Sequence, residues 1–153
     1  NRLEGGAGDD ILDGEAGIDT YIGGFGNDAY YVRHLGSDGR VQDNFIEVAG
    51  QGIDGVNTSV SVNLNEARYA NIENGYVVGT AATNLGGSAV DNVLVGNDAA
   101  NKITGMGGRD IMRGGGGADT FGYLYWGETG KTAATRDLIQ DLLALSRASR
   151  SAK

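Results

Sequence analysis

Gly5-Gly6-Ala7-Gly8-Asp9-Asp10-Ile11-Leu12-Asp13 is followed without a gap by Gly14-Glu15-Ala16-Gly17-Ile18-Asp19-Thr20-Tyr21-Ile22, and then by Gly23-Gly24-Phe25-Gly26-Asn27-Asp28-Ala29-Tyr30-Tyr31. A nine-residue unit is thus written three times in phase. It returns from Gly96 to Thr104, Gly105 to Arg113 and Gly114 to Gly122, with a weaker copy from Gly87 to Val95. In each clear copy the sixth position is Asp or Asn and the eighth is large and apolar or aromatic. One glycine motif alone carries little information, but copies repeated at a fixed period mark a stacked-repeat architecture.

The unit divides into a tight turn of six residues and a three-residue strand. Glycines at positions one, two and four permit positive φ and let backbone carbonyls crowd inward without a Cβ clash. Position six places a carboxylate or amide oxygen beside them: Asp10, Asp19, Asp28, Asn101, Asp110 and Asp119. Carbonyls are expected from the glycines at positions two and four, namely Gly6, Gly8, Gly17, Gly24, Gly26, Gly108, Gly115 and Gly117. Stacked turns of this kind form cages of oxygen ligands with adaptable geometry, which suits Ca²⁺ better than the smaller, octahedral Mg²⁺. Softer metals lack ligands, since the chain has no Cys and its only His is His34.

Position eight supplies a core. Leu12, Tyr21 and Tyr30, then Ile103, Met112 and Phe121, point inward from successive short strands. One copy makes half a coil, so Asp10 is expected to share a site with the turn carrying Asp28, and Asn101 with that of Asp119. Asp19 needs a partner before Asn1 or after Tyr31. Asn1-Arg2-Leu3-Glu4 fits positions six to nine of an interrupted copy, and the chain reads as a piece of a larger protein.

These copies follow G-G-x-G-x-D-x-U-x, and the chain resembles the RTX (repeats-in-toxin) family of hemolysin-type calcium-binding repeats. The resemblance implies an all-β fold, a right-handed parallel β-roll with several calcium ions between stacked glycine-rich turns. It also implies secretion to the extracellular space through a type I machinery that reads a C-terminal signal, and a monomeric chain. The connecting stretch resembles the linker between RTX blocks in Asp28-Ala29-Tyr30-Tyr31-Val32, in Ile46-Glu47-Val48-Ala49-Gly50-Gln51-Gly52-Ile53-Asp54 and in Asn71-Ile72-Glu73-Asn74. There it implies further calcium ligands at Glu47 and Asp54. Where the family continues with Asp-Asn after Val32, this chain has Arg33-His34, which puts a site at that turn in doubt.

The chain divides on this reading into a first block (1–31), longer coils of the same solenoid (32–86), a second block with a capping strand (87–126) and a tail (127–153). In the middle stretch Val56, Thr58, Val60, Val62 and Leu64 alternate with polar residues as a half-buried strand does. Ile72, Tyr76 and Val78 continue that period. Separate domains are the alternative.

Composition bounds the partners. Glycine, at 28 of 153 residues, is far above average usage, and a period of nine without proline excludes collagen. A net charge of −8 argues against nucleic acid or an anionic membrane and for cations. No apolar run is long enough to span a bilayer.

The remaining signals are weaker. Val90 stands where position four wants glycine, so the turn of Asn92 is expected to be structural and ligand-poor, while Ala99 and Asn101 leave the next turn with neutral ligands and hence a weaker site. Phe121, Tyr123, Tyr125 and Trp126 form either a platform for sugar stacking or, as favoured, a cap over an open sheet edge. Gly127-Glu128-Thr129-Gly130-Lys131-Thr132 ends like a phosphate loop but has Tyr125 where that motif needs glycine. Arg136-Asp137-Leu138-Ile139-Gln140-Asp141 resembles the start of the family's segment C-terminal to the repeats, and Leu142 then leads into a Ser- and Arg-rich tail. No nucleophile–base pair or zinc-protease helix can be placed, so the chain is expected to be non-catalytic. Two alternatives stay open: a carbohydrate-binding or adhesion module, or the accessory domain of a secreted protease, lipase or polysaccharide-modifying enzyme.

Overall fold

The structure, a computed structural model, describes residues 1–122 and 137–140. The expected aromatic cap at Tyr123, Tyr125 and Trp126, the phosphate-loop-like stretch and the tail from Leu142 lie outside the described residues. Among the described residues fourteen short strands follow one another: β1 (Arg2–Ala7), β2 (Ile11–Asp13), β3 (Thr20–Phe25), β4 (Ala29–Val32), β5 (Asn44–Ile46), β6 (Gly55–Thr58), β7 (Val62–Asn63), β8 (Asn74–Val77), β9 (Asn84–Gly86), β10 (Val93–Val95), β11 (Lys102–Thr104), β12 (Ile111–Arg113), β13 (Thr120–Gly122) and β14 (Leu138–Ile139). A single 3₁₀ turn, Ala67–Tyr69, is the only helical element among the described residues.

All the pairings are parallel, and the strands alternate between two walls. One wall is a seven-stranded sheet in the order β14-β12-β10-β8-β6-β4-β2, and the other is split into β1-β3-β5 and β13-β11-β9-β7. The chain is therefore an all-β parallel roll. Within the blocks one coil is two repeats, so that Ile11 pairs with Ala29 and Lys102 with Thr120. The stretch 32–86 contributes strands to all three sheets, and β6 and β8 continue the long wall between the blocks.

The core is a double file of side chains. Along the long wall Leu12, Tyr30, Val56, Gly75, Leu94, Met112 and Ile139 are register partners in turn. Opposite them run Leu3, Tyr21 and Phe45, then Val62, Leu85, Ile103 and Phe121. Tyr69 of the 3₁₀ turn fills the break between the two short sheets, its ring 5.1 Å from that of Phe45. Tyr21 stacks on Phe45 at 5.2 Å and Tyr30 meets Phe45 edge-on at 5.4 Å. Such offset and edge-on pairs add to plain area burial.

Two expectations for the middle stretch need correction. Residues 56–64 do not form one strand. Thr58 turns its hydroxyl back on the chain, donating to the Val60 carbonyl at 2.7 Å and accepting from the Val60 N–H at 3.1 Å. The path bends there, passing from β6 in the long wall to β7 in the opposite one, while the alternation of burial carries on round the corner. In β8 the inward residues are Gly75 and Val77, not Tyr76 and Val78. The phase differs by one because Gly75 takes the core position, where a Cβ would lie 2.8 Å from Leu85 Cδ1. Leu85, reaching across from the other wall, occupies that space.

Candidate metal centres

Each repeat turn is shaped by glycine for two different reasons. Positions two and four do carry positive φ, as at Gly24 (106°) and Gly26 (124°). There the turn closes over the one below, and a Cβ on Gly24 or Gly26 would overlap the carbonyl oxygen of Gly6 or Gly8. Position one does not have positive φ, which corrects the expectation. Its glycine makes room for the side chain five residues on: a Cβ at Gly5 would lie 2.6 Å from Asp10 Oδ2, and Gly14, Gly105 and Gly114 stand in the same relation to Asp19, Asp110 and Asp119.

That side chain ties each coil to the next. The N–H of Asp10 donates to Asp28 Oδ1 at 2.9 Å, that of Asp28 to Asp54 Oδ1 at 2.8 Å, and that of Asp54 to Glu73 Oε2 at 2.8 Å. Farther along, Asn92 donates to Asp110 and Asp110 to Asp137, each at 2.9 Å. Between these runs Asn92 Nδ2 donates to the Glu73 carbonyl at 2.6 Å instead. On the other side of the roll Asp19 donates to Asp43 at 3.0 Å and Asn101 to Asp119 at 2.9 Å. One oxygen of each accepting acid is thereby used for stacking.

Asp28, Glu47 and Asp54 converge. A carboxylate oxygen from each lies within 4.8 Å of the others, the one such trio among the described residues. All three are buried, Glu47 at 9% and the two aspartates at 2% exposure. Asp28 Oδ2 and both oxygens of Glu47 are buried without a hydrogen-bond partner. Burial, with the Asp54 and Asp28 charges adding to it, pushes the Glu47 carboxyl up to about 7, and the nearby Gly23 and Val48 peptide dipoles, which do not close hydrogen bonds of good geometry, only partly offset this. Desolvation is also the main cause of the raised values at Asp28 and Asp54. Buried carboxylates without a counter-charge are costly. A hard dication with oxygen preference removes that cost, and the donor set fits calcium.

The other expected residues fall as follows. Asp10 is half-buried with Oδ2 unpartnered, and Gly6 and Gly8 carry its turn. Gly17 has φ of 121° in the turn of Asp19, which is 1% exposed. Gly108, Gly115 and Gly117 have positive φ in the turns of Asp110 and Asp119. Asn101 differs: its Oδ1 accepts from the Asn97 N–H at 2.9 Å and its Nδ2 donates to the Thr83 carbonyl at 3.1 Å. Asn92 is saturated in the same way by Ser88 and Glu73. In neither turn does position two or four take positive φ. These side chains cap their own turns. At the departure after Val32, Arg33 pairs with Asp13 at 2.7 Å and lies over the Tyr31 ring at 4.7 Å, while His34 is exposed.

Asp43, Glu73 and Asp137 stand on rungs of the stack although the repeat pattern did not single them out. Asp43 is 6% exposed, its carboxyl raised chiefly by burial. The coils that reach Asp43 and Glu73 are 24 and 19 residues long by the hydrogen bonds that close them, so a period of nine cannot find them, whereas Asp137 lies 27 residues beyond Asp110, three periods on, and is in phase with the repeat. The available signal was an acid immediately before a short strand, which all three share.

Searches of curated proteins and of solved structures each found no match to the chain. A family model for the RTX calcium-binding nonapeptide repeat matches four copies, over residues 1–30 and 86–121. Those are the two blocks, without the stretch between them. With their glycine turns, stacked acids and parallel strands, the two blocks belong to the RTX calcium-binding nonapeptide repeat family.

Proposed function

We propose that this chain is a non-catalytic module that calcium folds, part of a protein exported by a type I system and unfolded until it meets extracellular calcium. The observation that carries the reading is the buried trio Asp28, Glu47 and Asp54, in which Asp28 Oδ2 and both Glu47 oxygens have no hydrogen-bond partner. The stacked acids extend the same demand for positive charge along the roll, and the net charge of −8 agrees with it. With dissociation constants of about 0.1 mM, at the tight end for extracellular modules, and about 1 mM free calcium, each site adds roughly 1.4 kcal/mol to the folded state. At micromolar calcium that contribution nearly vanishes. Several sites together rival the stability of a whole domain. Asp10, Asp19, Asp28, Glu47, Asp54, Asp110 and Asp119 are the side-chain ligands in this reading, joined by carbonyls of the glycine turns.

Far-UV circular dichroism tests it. In chelator the chain is expected to be largely unfolded and to gain β signal cooperatively with calcium, far less with magnesium. A chain equally folded and equally stable in chelator overturns the reading.

Polysaccharide binding, the second reading, has one observation in its favour. A cavity of about 350 Å³ along β7, β9 and β11 is lined by Asn63, Asn84, Lys102 and Thr104 together with Glu66 and the apolar Val62, Leu85 and Met106. Against it, Arg2, Arg33 and Arg68 are each engaged with a nearby acid rather than gathered into a basic groove.

A further inference from the structure

Tyr21 and Tyr30 hold the same position in successive repeats and are both buried core residues, yet their hydroxyls are treated differently. The Tyr21 hydroxyl accepts from the Gly14 N–H at 3.1 Å and donates to the Tyr31 carbonyl at 3.2 Å. For Tyr30 the corresponding donor is the Gly23 N–H, which faces Glu47 instead. The Tyr30 hydroxyl is fully buried and has no hydrogen-bond partner. Leaving such a group unsatisfied is costly, whereas phenylalanine would fill the same space without that cost.

The place to which it points is marked by Gly23. A Cβ on that glycine would overlap three atoms at once: Tyr30 Oη, Asp28 Oδ2 and Glu47 Oε1. All three are buried and unpartnered, and two belong to the acidic trio. We propose that the Tyr30 hydroxyl is a fourth side-chain oxygen of the Asp28–Glu47–Asp54 centre, facing the calcium ion beside the three carboxylates. The centre then differs in kind from a site between two repeat turns. Its oxygens come from a repeat turn, from the strand that follows that turn and from the connecting stretch, and one of them belongs to a core side chain. A neutral phenol adds an oxygen without adding to a charge that is already −3 when the acids are ionised.

This inference rests on the calcium reading above, and two experiments separate their failures. The first is calorimetric titration with calcium of the wild type, Tyr30→Phe, Glu47→Gln and the double variant. Tyr30→Phe is expected to weaken one site by about tenfold or more, the range for groups that tune a metal site, and to leave the others alone. On the Glu47→Gln background it should have little further effect, because residues of one site are not additive. Unchanged affinity at every site, or full additivity with Glu47→Gln, overturns the proposal while calcium-driven folding stands. A wild type that binds no calcium fails the broader reading instead. The second experiment covers a Tyr30→Phe variant that does not fold. Terbium bound to the wild type and excited through tyrosine should emit at the first equivalents, and that component should vanish in Glu47→Gln with Tyr30 intact. Its persistence overturns the proposal.

Discussion

Asp10 and Asp28 stand one coil apart and are joined through a single carboxylate: the Asp10 N–H donates to Asp28 Oδ1 at 2.9 Å, while Asp28 Oδ2 turns toward Glu47. One oxygen holds two coils together and the other faces the metal centre. Asp28→Asn is therefore expected to raise the calcium midpoint of folding by about tenfold or more, on the order seen when ligand shells are disturbed. Asp10→Asn should raise it less, since Asp10 lies outside the buried trio. Asp13→Ala should change stability by no more than about 0.5 kcal/mol, because it loses a part-exposed pair with Arg33. Calcium titrations followed by circular dichroism rank the three, and equal effects would refute the assignment of roles.

The two kinds of glycine should respond differently. Gly6 has φ of 105°, and a Cβ added there would meet nothing within 4 Å, so Gly6→Asn suffers backbone strain alone, about 1–2 kcal/mol. Gly5→Ala places a methyl 2.6 Å from Asp10 Oδ2 and 2.7 Å from the Gly23 carbonyl oxygen. It is expected to displace the acid and weaken calcium binding as well as stability. Calorimetry on the two variants checks this: only Gly5→Ala should lose calcium affinity.

Acidification should oppose calcium. The Glu47 carboxyl, raised from 4.5 to about 7 by burial and by Asp54 and Asp28, holds a proton in the metal-free fold that the unfolded chain would release. Its contribution to the metal-free state is favourable below the unfolded value and is lost as pH rises through about 7. Calcium needs the ionised form, so each ion displaces protons from the trio. The calcium affinity of the folded chain should therefore fall as pH drops below about 7, approaching about tenfold per pH unit for one proton, whereas the midpoint of folding from the unfolded chain, where Glu47 is already ionised, should not follow it. Tyr30 Oη and the Gly23 peptide also face this group. Calorimetric affinities measured from neutral to mildly acidic pH, with a stabilising osmolyte holding the metal-free chain folded, decide it; a flat profile removes Glu47 from the site.

Thr58→Val should uncouple the corner from the metal chemistry. The substitution keeps volume but removes both hydrogen bonds to Val60. A loss of about 1 kcal/mol for each is expected in urea unfolding at saturating calcium, with the number of ions bound unchanged. A changed stoichiometry would show that the corner positions ligands after all.

The core file from Leu12 and Tyr30 to Ile103 and Met112 was legible in the sequence because position eight recurs at a fixed interval, and so was the pairing of Asp10 with Asp28. Glu47 and Asp54 were reached only through a resemblance, since no period connects them to Asp28. Asp43 and Glu73 escaped because their coils have other lengths, and β8 was read one residue out of phase because a glycine, which carries no hydrophobic signal, stands at its core position. The Tyr30 hydroxyl was hidden for a different reason. A tyrosine in a core file looks like a large apolar ring, and only its surroundings show that its oxygen lacks the partner its neighbour Tyr21 enjoys.

The rungs from Asp10 to Asp137 are spaced by 18, 19, 26 or 27 residues along the chain, yet each advances the long wall by a single strand. At about 4.8 Å per strand, the height of this molecule is set by how many rungs it stacks and hardly at all by how many residues it contains. Residues inserted between rungs widen the girth of one coil and leave the neighbouring coils where they were. Such a chain can gain or lose loops freely, while a single added or deleted rung changes its reach by a fixed step.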